Sequence, residues 1–149
     1  MKTKLFNSSF EVSLRVLLLL SQIGNADMTL DRIVGYDFIS LYSRYFDLAD
    51  INLHGDNEFG FCELPARRVV VQAALKNLVL DGLVKANRRE GGFYYEITDM
   101  GSTFCKRQIS DYANTYRNLV ISTHKKYENV TEVELIAIIS RKATQALRR

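Results

Sequence analysis

The residues whose types could do chemistry are concentrated between positions 51 and 68, in the stretch INLHGDNEFGFCELPARR. His54, Asp56, Asn57, Glu58, Cys62 and Glu63 bring an imidazole, an amide, a thiol and carboxylates together. A zinc site needs three or four His, Cys or carboxylate ligands at tight spacing. Here one histidine and one cysteine stand eight residues apart, and the other histidine, His124, lies far along a polar stretch. A Cys62–His54 nucleophile pair would need a third group to orient the base, and nothing in the sequence nominates one. The DNE triplet lacks the alternating oxygen ligands and the later Glu of an EF-hand loop. The stretch therefore reads as a turn-rich loop, with His54, Gly55 and Asn57 making turns and Phe59, Phe61 and Leu64 anchoring it to the core. Its acidic surface would also suit a basic docking partner. No catalytic residue, metal ligand or cofactor is expected, because no nucleophile, base and electrophile converge.

The elements that must position this loop come from a chain of 149 residues, 47% hydrophobic and 25% charged. That is long enough for one domain with its own core, so a single domain spanning 1–149 is expected. Cys62 and Cys105 have no C-x-x-C partner and no secretory context, so both read as reduced thiols. The apolar run Val16–Leu20 is too short to span a bilayer, follows Glu11 and Arg15, and precedes no A-x-A cleavage site. It reads as a buried helix of a cytoplasmic protein. The net charge of +3 is polarised: residues 27–63 carry −6 and residues 64–149 carry +7. A basic second half permits contact with nucleic acid or with an acidic partner, and does not choose between them.

Ser8 followed by Glu11 forms a capping box opening a first helix to about Ile23. On a helical wheel Glu11, Arg15 and Gln22 make one narrow polar stripe. A second helix runs from about Thr29 to Ser43. Pro65 suits the first turn of a third, over 65–81, closed by Asp81-Gly82. Two strands follow, 83–87 and 93–98, joined by a turn over 88–92. A long fourth helix starts near Asp99, with Cys105, Ile109, Tyr112, Tyr116 and Leu119 at helical spacing. Thr131 with Glu134 caps a fifth helix that ends in Arg148-Arg149. The fold expected is mainly α with a small β-hairpin: a winged helix-turn-helix core over 8–101, its wing hairpin at 83–98, then C-terminal helices over 102–149.

A DNA reader places polar side chains of its third helix in the major groove. This third helix is apolar on two sides instead. Val71, Ala74, Leu75 and Leu78 form one face, and Val69, Ala73 and Leu80 form another, leaving only Arg68, Gln72 and Lys76 as a thin polar stripe, from which Arg68 and Lys76 are candidate nucleic-acid contacts. The second face is expected under the C-terminal helices, or else under a partner protein. The wing carries Lys85, Arg88 and Arg89, which could reach DNA phosphates without reading sequence or could simply be a solvated turn. Asp37 falls on the apolar face of the second helix and Arg67 on that of the third. Burial of either alone is costly, so a structural Asp37–Arg67 salt bridge is predicted.

Four stretches resemble one family: FEVSLRVLLLL, LDRIVGYDFISLYS, NLHGDN and ARRVVVQAALKNLVLDGLV, together covering roughly residues 8 to 101. They are similar to the small middle component of bacterial three-component systems built around an SMC-like ABC ATPase, a group that includes Lamassu-type anti-phage and anti-plasmid defence. The resemblance implies a non-catalytic winged-helix subunit that docks on the ATPase and links it to an effector such as a nuclease. The alternative kept open is a free-standing transcription regulator, dimeric through its C-terminal helices.

Overall fold

The computed structural model describes residues 8–24, 26–53 and 64–147. The loop singled out above, from His54 to Glu63, lies outside the described residues, as do Arg148 and Arg149.

Ser8 accepts a hydrogen bond from the Glu11 N–H at 3.2 Å and starts α1, Ser9–Gln22. The helix is buried on nearly every side from Val12 to Leu20. Arg15, on the narrow polar stripe of the helical wheel, is only 1% exposed, because α1 is enclosed on that side too. Thr29 caps α2, Leu30–Leu41, which ends before the expected Ser43. A 3-10 turn over Ser43–Phe46 follows, closed by Asp47 in the left-handed region.

The third helix, α3, spans Leu64–Leu80 and buries Arg67, Val71, Ala74, Leu75 and Leu78. It packs on α1 and α2. Gly82 ends it at φ +78, a conformation that would strain a residue with a Cβ. Hydrogen bonds from Leu83 N to Leu78 O and from Gly82 N to Val79 O complete a Schellman motif.

The hairpin pairs β1, Val84–Arg89, with β2, Gly92–Ile97. Arg89 lies opposite Gly92, so only Glu90-Gly91 forms the turn, shorter than the expected 88–92. Arg88 and Arg89 are ladder residues instead. Met28, between α1 and α2, adds a bridge on the other side of β2, exchanging main-chain hydrogen bonds with Tyr95 at 3.0 and 2.7 Å.

The expected long fourth helix is two helices, α4 (Asp99–Lys106) and α5 (Asp111–Tyr127). Ser110 causes the break: its hydroxyl accepts from the Ala113 N–H at 3.1 Å and starts a new helix. Ile109, expected within the long helix by its spacing, falls in the gap and is exposed. Gly101 in α4 allows the closest backbone approach in this region, since a Cβ there would run into the Leu83 carbonyl.

Helix α6, Glu132–Leu147, is capped by Thr131, which accepts from Glu134 N at 3.2 Å. Leu135 and Ile139 of α6 lie over Gly35 of α2, with no side chain between. Arg32 ties the α5–α6 junction to α2 by donating to the carbonyls of Tyr127 and Val130. No described helix is long and apolar enough to cross a membrane.

Candidate functional site

Two features hold the candidate residues: a buried charge cluster among the helices, and an open groove between α3 and the hairpin.

In the cluster, Arg15 Nε donates to Asp37 Oδ1 at 3.0 Å, and Tyr116 Oη donates to the same oxygen at 2.6 Å. Arg67 Nη1 stands farther off, 3.9 Å from Asp37 Oδ2. The Arg67 guanidinium lies against the Phe38 and Tyr42 rings, 5.8 and 5.7 Å from their centroids, where cation–π attraction adds to the charge pairing. Arg67 is thus beside Asp37, but the principal partner is Arg15, which the predicted Asp37–Arg67 pair did not include. The available signal was its position, between Leu14 and Val16 at the start of a long apolar run.

Burial disfavours the Asp37 charge, yet the two guanidiniums and the hydrogen bonds from Arg15 and Tyr116 outweigh it, holding its pKa below the ordinary carboxylate value. Burial beside Asp37 pushes the Tyr116 phenol well above its usual range. The arrangement joins α1, α2, α3 and α5.

The groove is apolar and exposed. Val69 is 67% exposed, Leu80 74% and Phe93 50%. With Ala73, Ala86 and Tyr95 these residues line an open volume of about 620 Å³. The expectation that the C-terminal helices cover this face is overturned. Helix α5 packs on α1 and α2, and α6 packs on α2, and neither shields Val69 or Leu80 from solvent.

The cations named for nucleic acid do not form one patch. Arg68 is paired with Asp31 at 2.8 Å. Arg89 is paired with Asp27 and stacked 4.8 Å above the Tyr94 ring. Lys76, Lys85 and Arg88 are exposed and show no ion pair among the described residues. Strand alternation puts Arg88 on the sheet face of Ala86, Phe93 and Tyr95, and Lys85 with Arg89 on the opposite face.

Of the residues that would suit a dimer interface, the Tyr112, Tyr116 and Leu119 stripe and the apolar run over 133–139, Tyr116, Leu135 and Ile139 are buried within the chain, while Val133 is exposed. Tyr116 is fully buried against Asp37, and Tyr112 and Leu119 are half-buried. His124 Nδ1 lies 2.9 Å from the Tyr36 hydroxyl, and Cys105 is buried, which pushes its thiol pKa up. Among the described residues no three His, Cys, Asp or Glu side chains are grouped as metal ligands.

No curated protein and no solved structure matches the chain. The profile of one family, described as ABC-three component (ABC-3C) system Middle Component 2, matches residues 5–149. A middle component works within a multi-component ABC ATPase system, so its function involves protein partners. The match runs through the charge cluster, the groove and both C-terminal helices, and the chain belongs to this family of ABC-3C middle components.

Proposed function

We propose that the chain is a non-catalytic, cytoplasmic winged-helix adaptor that docks on an SMC-like ABC ATPase. It links that ATPase to an effector nuclease in Lamassu-type defence against phage and plasmids. The observation that carries the docking role is the exposed apolar face of α3, with Val69 67% and Leu80 74% exposed. A monomeric protein gains nothing from a contiguous apolar groove in water, whereas a subunit buries it on assembly. The family assignment supports an adaptor role within an ABC system.

Support for a winged helix comes from the order of three helices before an antiparallel hairpin, and from Met28 pairing with Tyr95 as a short third strand. The same groove lies where a winged-helix DNA reader would present polar side chains, which argues against base readout. Wing contact with DNA would draw on Lys85 and Arg88, and two phosphate contacts give only weak binding, with a log–log salt slope of about −2.

The test is co-purification of the tagged full chain with its system's ABC ATPase and third component at moderate salt. Stoichiometric recovery of the ATPase is expected. Recovery of the chain alone, or as a homodimer, would overturn the adaptor role.

A further inference from the structure

The groove has a helix for one wall and a sheet face for the other. Val69, Ala73, Lys76 and Leu80 recur at i, i+4, i+7 and i+11 on α3 and so form one stripe. That stripe is about 16 Å long, or three helical turns. Ala86 and Phe93 supply the opposing wall. Among the described residues no carboxylate lines the groove, while Lys76 does, and Arg88 lies on the same sheet face as Ala86 and Phe93.

We infer that this groove takes an amphipathic helix of a partner protein, about three turns long, whose apolar stripe is flanked by Asp or Glu. The inference rests on the adaptor role proposed above and specifies the chemistry of its partner. Apolar side chains at i, i+3 or i+4, and i+7 would fill the space between Val69, Leu80 and Phe93. Carboxylates beside them would meet Lys76 and Arg88. A second copy docking face to face would instead oppose these cations to themselves. Nucleic acid would set phosphates against the Val69–Leu80 wall, forfeiting the burial of that wall.

The test places the photo-crosslinking amino acid p-benzoylphenylalanine at Phe93 of the full chain, expressed together with the ABC ATPase of its system. Sequencing of the crosslinked peptide is expected to give a segment with the apolar spacing above and at least two carboxylates. A crosslink to nucleic acid, to a second copy or to a segment lacking acids overturns the inference. In parallel, the double variant Lys76→Glu/Arg88→Glu is expected to weaken the complex by about tenfold or more near physiological salt. The charge-matched control Lys125→Glu/Arg141→Glu, on exposed positions of α5 and α6, is expected to leave it unchanged. If wild type forms the complex and the groove variant binds as tightly, the acidic-helix inference fails while the adaptor role stands. If wild type forms no complex, both fall.

Discussion

Arg15 Nε and Asp37 Oδ1 meet at 3.0 Å with both side chains almost fully shielded from water, joining α1 to α2. Removing one partner of such a pair costs far more than the pair contributes, because the other charge is left buried. Asp37→Asn is therefore expected to destabilise the chain by about 3–5 kcal/mol. Arg67→Met is expected to cost less, since its guanidinium stands 3.9 Å from Asp37, against 3.0 Å for Arg15. Urea denaturation of the two variants gives the order. A larger loss for Arg67→Met would make Arg67 the principal partner.

The same cluster sets a pH dependence. Asp37 has a folded-state pKa below its unfolded value, which is about 3.9. The native state therefore holds fewer protons than the unfolded chain in this range. Its contribution is fully present above about pH 4 and is lost as pH falls through the folded pKa. Stability measured by urea midpoint is expected to drop steeply below about pH 4. In Asp37→Asn the decline should be shallower, and an unchanged slope would remove Asp37 as its source.

Arg15 also marks how far the fold was legible in the sequence. Features set by near neighbours could be read directly: the Ser8 and Thr131 caps, the Gly82 helix end and the hairpin after it. What required knowledge of distant packing could not. Arg15 lies on the polar stripe of an isolated wheel, and its burial comes from the helices that pack around it. The Met28–Tyr95 bridge joins single residues far apart in sequence and leaves no periodic trace. The Ser110 cap is masked in the sequence, because the spacing from Cys105 to Leu119 mimics one continuous helix. For the groove, the apolar character of Val69, Ala73 and Leu80 was visible, but their exposure depends on α5 and α6 lying elsewhere.

Gly101 should tolerate no side chain. A Cβ there would collide with the Leu83 carbonyl, a backbone atom that moves only with the hairpin's entry, and would crowd Ile97. Gly101→Ala is expected to lower stability by about 1–3 kcal/mol despite alanine's better helix propensity. Gly35→Ala makes the comparison, because its Cβ would meet the flexible end of Leu135 and the neighbour can shift. Thermal or urea unfolding should therefore rank Gly101→Ala as the more damaging. Equal losses would mean that the α4–hairpin contact yields more readily than its backbone geometry implies.

Val69 and Leu80 allow docking to be separated from folding. Both are largely exposed, so replacing them removes little that the isolated chain buries. Val69→Asp/Leu80→Asp is expected to change unfolding free energy by no more than about 0.5 kcal/mol per site. In the complex, each carboxylate would be forced against an apolar partner surface without a compensating charge, and binding to the ATPase should weaken by about tenfold or more. Unfolding titrations and complex affinity are measured on the same preparation. Retained stability with lost binding locates the docking face on α3. Lost stability would mean that this face is covered within the chain itself, and unchanged binding would move the docking surface away from the groove.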